Sequence, residues 1–137
     1  INLDIQVIPV GWKVGPDGSA QWDSPGFAAG FVISSAAPGT NGNTVMYGHN
    51  NILGAVFKDL EHLRIGDEIF VLSANGDRYR YVIEGVDIIL EAGITEEEKA
   101  RNLAHFNPTS DTRLTLLTCW PFTNNTHRVV IVARPAG

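Results

Sequence analysis

The stretch RLTLLTCWPFTNNTHRVVIVARP, residues 113–135, decides the fold because it holds two apolar runs separated by a turn-forming segment. Residues 113–119 and 127–135 are rich in large apolar and β-branched side chains, which predicts two strands. The segment between them, WPFTNNT, is short, so we expect the strands to pair as antiparallel neighbours. Cys119, the only cysteine of the chain, ends the first run, and Arg128 lies near the start of the second.

Short apolar runs separated by glycine and proline continue through the rest of the chain, which has 14 Gly and 7 Pro. This punctuation favours an all-β fold over a helical bundle. Residues 11–26 are rich in turn signals, and residues 27–33 fit either a strand or a short helical turn. Further strands are predicted at residues 3–10, at residues 44–49, and in a hairpin over 65–90 whose turn contains Asn75-Gly76.

Two segments have the spacing of helices. Apolar residues recur at about 3.6 residues per turn over 50–64. Thr95 and Glu98 have the spacing of a capping box, which predicts a second helix that ends at Asn107-Pro108. Seven or so short strands with one or two short helices predict a small closed or nearly closed β-barrel, with a β-sandwich as the alternative.

Composition limits the classes of function. The chain has 137 residues, of which 44% are hydrophobic and 18% charged, as expected for one globular domain over residues 1–137. The formal net charge is −5 and the basic residues are scattered, so nucleic-acid binding is not expected. No apolar run approaches the roughly 20 residues that span a bilayer. Because the chain starts at Ile1 and not at methionine, we expect a trimmed domain from which an N-terminal membrane anchor is absent.

A single cysteine excludes an internal disulfide and cannot build a zinc site alone. Such a cysteine is either a buried small hydrophobe or a nucleophile. Eight residues separate Cys119 from Arg128, so in a regular antiparallel register the two are directly opposed, with Cβ atoms about 4.5–5.5 Å apart. A guanidinium there would favour the thiolate and would stabilise an oxyanion formed when sulfur attacks a carbonyl. The alternative is that Arg128 extends into solvent.

A nucleophilic cysteine generally needs a partner that transfers protons, and four histidines are available. His49 follows a glycine at the end of a predicted strand, a position from which side chains reach into clefts. His62 and His105 lie on predicted helices, where structural roles are expected. His127 is next to Arg128 and therefore points to the opposite face of its strand. His49 is the best partner for Cys119.

Three motifs in the same order resemble the sortases, the cysteine transpeptidases of Gram-positive-type cell surfaces. TLLTC (115–119) followed by Arg128 is similar to the family's T-L-x-T-C…R signature. PGTNGNTVMYGHN (38–50) resembles the segment that carries its active-site histidine, and FKDLEHLRIGDEI (57–69) resembles a further family passage. The resemblance extends from about residue 38 to 134, and residues 1–37 match only loosely.

The resemblance implies a closed eight-stranded sortase-like β-barrel with Cys119 as nucleophile, His49 as acid/base and Arg128 as the stabiliser of substrate and oxyanion. The implied reaction cleaves a C-terminal sorting motif of the Leu-Pro-x-Thr-Gly kind between Thr and Gly. The product is a thioester that an amine resolves. Thr118, Trp120 and Phe122 are candidate substrate-binding residues. Their alternatives are a plain strand residue for Thr118, and core packing or hairpin capping for the two aromatic residues.

Partners and location also follow from the resemblance. The implied partners are secreted proteins with a sorting motif and an acceptor amine, from a cell-wall precursor or a pilin lysine, at the outer face of the cell membrane. No cofactor is expected. Some relatives bind calcium, but the acidic residues here fit solvated or helix-capping roles better, namely Asp59, Glu61, Glu91 and Glu96–Glu98. Two alternatives stay open: a cysteine peptidase with water as acceptor, and a catalytically silent β-barrel that binds peptides.

Overall fold

The computed structural model describes residues 7–10, 12–14, 20–22, 29–32, 35–48, 60–72, 76–90, 93, 95–103, 108–120 and 127–136. These residues form nine strands, one 3-10 turn and one α-helix, which confirms the all-β class with short helical elements. The strands are β1 (Val7–Val10), β2 (Trp12–Val14), β3 (Ala20–Trp22), β4 (Ala29–Val32), β5 (Gly42–Tyr47), β6 (Glu68–Leu72), β7 (Arg78–Leu90), β8 (Thr112–Trp120) and β9 (His127–Pro135). The helix α1 is Glu96–Leu103, and the 3-10 turn is Leu60–His62.

Seven strands form one sheet in the order β1-β4-β5-β8-β9-β7-β6, and β2 pairs with β3 in a separate two-stranded sheet. Two pairs, β1 with β4 and β5 with β8, are parallel, and the other pairs are antiparallel. Within the described ranges β1 and β6 are the edges of this sheet and do not pair with each other. The expected closed barrel of eight strands is therefore not seen, because the described sheet has seven strands and is open.

The two strands that decide the fold lie at the centre of the sheet. β8 and β9 pair with each other, and β8 also pairs with β5 while β9 also pairs with β7. Alternate residues of both strands enter the main core, where burying a large aliphatic side chain contributes about 1.5–3 kcal/mol. The fully buried side chains of this core include Leu114, Ile131, Val129, Ala133, Tyr81, Ile83 and Leu60.

The sheet is curled into a half-barrel around this core. The loop before β5 lies against β7: the amide of Gly39 donates a hydrogen bond to the hydroxyl of Tyr81, with N and O 3.0 Å apart. Gly39 has a φ of 78°, and a Cβ there would collide with the ring of Tyr79. A glycine is therefore needed at this close approach. Burial raises the pKa of Tyr81.

The helical predictions have different outcomes. The capping box is confirmed, since the Glu98 amide donates to Thr95 Oγ1 at 3.1 Å and the Thr95 amide to Glu98 Oε1 at 3.5 Å. Of the helix expected over 50–64, residues 50–59 lie outside the described residues, and Leu60–His62 form only a 3-10 turn. The turn-rich segment 11–26 contains β2 and β3. None of the helices described has the length and apolarity required to cross a bilayer.

An ion-pair cluster ties β8 to β9 at the end of the sheet away from Cys119. The guanidinium of Arg113 contacts Asp111 Oδ2 at 3.1 Å, and that of Arg134 contacts both Asp111 and Glu84. The pKa of Asp111 is lowered from 3.8 to about 2, mainly because Arg113 donates a hydrogen bond to the carboxylate. The ionised form of Asp111 is thus favoured by folding.

The ion pairs of Asp111 should make the unfolding free energy depend on pH in the acid range. Because the folded pKa of Asp111 is depressed, its stabilising contribution is present above the unfolded value near 3.8 and is lost as the pH falls toward 2. Urea unfolding of wild type and Asp111→Asn should show a gap in unfolding free energy that narrows between about pH 4 and pH 2. Glu97→Gln, which removes an exposed carboxylate of α1, is the control. A gap as wide at pH 2 as at pH 6 would contradict the prediction.

Candidate active site

Cys119 and Arg128 are directly opposed on neighbouring strands. The β8–β9 register is regular from Leu114↔Ala133 to Trp120↔His127, and it pairs Cys119 with Arg128. This confirms the expectation from their even spacing, since no bulge interrupts this ladder. The two residues therefore share one face of the sheet. The structure describes the backbone of Cys119 but not its side chain.

Arg128 is half-buried, and one of its guanidinium nitrogens, Nη1, donates to the backbone carbonyl of His127 at 3.2 Å. His127 pairs with Trp120 and with Leu90, so it lies on the face opposite to that of Cys119. The prediction that His127 is not the partner of Cys119 is thereby supported by the register.

Thr118 ties the end of β5 to β8 directly beside Cys119. The last described residue of this part of the chain, Gly48, makes two hydrogen bonds to β8. Its amide donates to the carbonyl of Leu117 at 3.2 Å, and its own carbonyl accepts from the buried hydroxyl of Thr118 at 2.8 Å. The backbone pairing of β5 ends at Tyr47↔Leu117, so the threonine side chain extends the connection by one residue.

The strand β7 brings two further residues onto the face of Cys119. Ile89 lies opposite Arg128, and Asp87 lies opposite Val130. Sequence reasoning missed both, because the pairing of β7 with β9 joins segments about 40 residues apart and leaves no local pattern. The next opposed pair on this face, Leu117 and Val130, is apolar and buried.

Several sequence-predicted residues lie outside the described part of the structure. His49 and Phe122 are outside it, as is His105, and for Trp120 only the backbone is described, at the last position of β8. His62 lies exposed on the 3-10 turn. Of the three predicted catalytic residues, the structure thus brings together Cys119 and Arg128.

The acidic residues named above are possible ligands of a calcium ion. In the described ranges no three His, Cys, Asp or Glu side chains are grouped so that they could hold a metal ion. Asp59 and Glu91 are not among the described residues. Glu98 is engaged in the helix cap of α1.

Comparison with known proteins gives a consistent result. The family model of the sortase domain matches residues 2–136. Sortase A from Corynebacterium diphtheriae superposes with a TM-score of 0.70 at 21% identity, covering 98% of this chain and 62% of that one. A lid mutant of that enzyme gives 0.67 at 25% identity, covering 80% and 56%. Sortase C1 from Streptococcus agalactiae gives 0.65 at 22% identity, covering 80% and 54%.

No match was found among curated protein sequences. The chain spans between about half and two thirds of the length of the solved structures that it resembles. The likeness to structures below 25% identity supports the fold, and the family model covers almost the whole chain. The chain therefore belongs to the sortase family.

Proposed function

We propose that this chain is the catalytic domain of a cysteine transpeptidase that cleaves a C-terminal sorting motif between Thr and Gly and transfers the acyl group to an amine. The observation that carries the proposal is the pairing of Cys119 with Arg128 in a regular register. A thiol and a guanidinium on one face supply a nucleophile and a fixed donor for an oxyanion. A protein that only binds peptides needs neither in that arrangement.

The β5–β8 register supports His49 as the third member. Every pairing between these parallel strands joins a residue of β5 to the β8 residue 70 positions later, from Gly42↔Thr112 to Tyr47↔Leu117. The two hydrogen bonds of Gly48 continue this alignment to the end of the described segment. If the offset holds for one more residue, His49 lies beside Cys119. The row would then read His49, Cys119 and Arg128 across three adjacent strands.

The proposed reaction has two half-reactions. In the first, the Cys119 thiolate attacks the Thr carbonyl of the sorting motif, and Arg128 stabilises the oxyanion that forms. The C–N bond then breaks as the His49 imidazolium gives its proton to the leaving Gly amine, which leaves a thioester on Cys119. In the second, an acceptor amine attacks the thioester, its proton passes to His49, and the thiolate departs.

Substrate contacts are proposed for the residues around Cys119. Thr118 acts through Gly48, because its hydroxyl holds the carbonyl that directly precedes His49. Trp120, which follows Cys119, and Phe122 in the β8–β9 connection would supply an apolar wall for an extended peptide. The acceptor, in this proposal, is a cell-wall precursor or a pilin lysine, and the enzyme acts at the outer face of the cell membrane.

Transpeptidase activity predicts two products that can be detected. Sorting-motif peptides, incubated with the enzyme with and without an added amine, should give a thioester on Cys119 and an amine-linked product, both detected by mass spectrometry. Cys119→Ala should abolish both, because the chain has no other thiol.

The same experiment separates the alternatives. Hydrolysed peptide without any amine-linked product would indicate a cysteine peptidase that uses water as acceptor. Failure of every peptide to form an adduct, together with a thiol inert toward alkylating reagents, would contradict the proposal and favour a silent peptide-binding domain.

Arg128→Lys tests the role of the guanidinium. A lysine keeps the charge but loses the planar fork of donors, so we expect kcat/KM for peptide cleavage to fall by about 10²-fold or more. Arg101→Lys, at an exposed site of α1, is the matched control and should retain activity. Activity of Arg128→Lys within about twofold of wild type would show that Arg128 does not have this role.

Thr118→Val tests the tie to Gly48. Valine has nearly the same shape but leaves the Gly48 carbonyl without its hydroxyl partner, which should cost about 1–3 kcal/mol of unfolding free energy. Peptide cleavage should also fall when it is measured under conditions in which the variant is fully folded. Such a fall cannot be explained by a smaller fraction of folded protein. Thr118→Ser retains the hydroxyl and should restore most of the activity. Equal activity of the valine and serine variants would exclude a positioning role for the hydroxyl.

A further inference from the structure

A β-bulge in β7 determines which side chains flank Arg128. The register of β7 with β9 shifts between Ile83 and Gly85, so Glu84 has no partner on β9. Beyond the bulge Asp87 lies opposite Val130 and Ile89 opposite Arg128. Had the earlier alignment, Ile83 with Ala133, continued without a bulge, Val86 would lie opposite Val130. A one-residue shift exchanges the two faces of a strand, so the bulge puts a carboxylate on the face of Cys119 where a valine would otherwise lie.

Asp87 lies at the rim of this face. In its row across the sheet, Leu117 and Val130 are buried, whereas Asp87 is exposed. No ion pair or hydrogen bond involving the Asp87 carboxylate occurs in the part of the chain that the structure describes. The guanidinium of Arg128, the charged group in the neighbouring row, contacts the carbonyl of His127. An exposed carboxylate is thus available to a ligand next to the reacting residues.

The distance from Cys119 follows from sheet geometry. Asp87 lies two strands away from Cys119 and two residues further along the strand direction. With 4.8 Å between strands and 3.4 Å per residue, this places the two Cα atoms about 12 Å apart. An extended peptide advances about 3.3 Å per residue, and a lysine or arginine side chain adds about 6 Å of reach. A motif of the Leu-Pro-x-Thr-Gly kind has Pro and Leu three and four positions from the scissile bond, so the variable residue, two positions from that bond, is the one whose basic side chain would reach the carboxylate.

We propose that Asp87 is a specificity-determining residue that selects sorting peptides with a lysine or arginine at the variable x position of the motif, two residues from the scissile bond on the acyl side. The inference rests on the proposed function. The acyl half stays on the enzyme through both half-reactions, so a contact with it acts throughout the cycle. During reaction Arg128 is occupied by the reacting carbonyl, which leaves Asp87 as the charge that a nearby peptide side chain meets. Since the pair is exposed, its effect is a two- to fivefold preference, about that of a surface ion pair.

The test compares matched sorting-motif peptides that differ only in Lys or Glu at the variable x position. The rate of thioester formation and hydrolysis without added amine gives kcat/KM for wild type, Asp87→Asn and Asp87→Lys. Wild type should prefer the Lys peptide by about two- to fivefold, Asp87→Asn should show no preference, and Asp87→Lys should prefer the Glu peptide. The preference should shrink in 0.5 M salt, because exposed charges are screened.

Asp77→Lys is the matched control, since it makes the same change in net charge just before β7, at the far end from Ile89. It should keep the wild-type preference. An equal charge preference in wild type and Asp87→Lys, or none in wild type, would overturn the inference and leave the transpeptidase proposal intact. A preference that depends on the charge of the acceptor amine and not on that of the sorting peptide would also overturn it. Failure to cleave any peptide would overturn the proposed function and this inference together.

Discussion

The antiparallel pairing of β8 with β9 is the constraint on which the site depends. One ladder supplies the centre of the core and places Cys119 opposite Arg128 at its end. Slipping the register by one residue would move the cysteine to the core face and would bury every outward side chain of the strand. Leu114 and Ile131, fully buried on the core face, oppose such a slip. The packing that stabilises the domain and the geometry proposed for catalysis are therefore the same interaction.

Two local devices then shape the site around that ladder. A buried threonine hydroxyl holds the last residue of the β5 segment where the backbone pairing ends, one position before His49. On the other side, the bulge in β7 exchanges the faces of its final residues and places Asp87 on the face of Cys119, opposite Val130 and diagonal to Arg128. The core fixes the central pair, whereas features of the neighbouring strands set the side chains on either side, so a substrate contact can change while the central pair is kept.

Local patterns predicted much of this arrangement. Even spacing gave the Cys119–Arg128 pairing, and the Thr95–Glu98 capping box gave the start of α1. Pairings between distant segments were beyond such patterns, because nothing near Asp87 indicates that β9 will be its neighbour. The bulge was missed for a related reason: an unpaired residue such as Glu84 is recognised only against its partner strand. A closed or nearly closed barrel was predicted from the number of short strands, and the family resemblance implied eight strands in a closed barrel, whereas the described strands form an open sheet of seven.

The proposed catalytic arrangement is tested most directly by a crystal structure of the protein with a sorting-motif peptide covalently trapped on the sulfur of Cys119. We expect the guanidinium of Arg128 to lie within hydrogen-bonding distance of the trapped carbonyl oxygen and the imidazole of His49 to face the leaving-group side. An imidazole far from the sulfur, on the other side of the sheet, or a guanidinium turned away from the trapped carbonyl would contradict it.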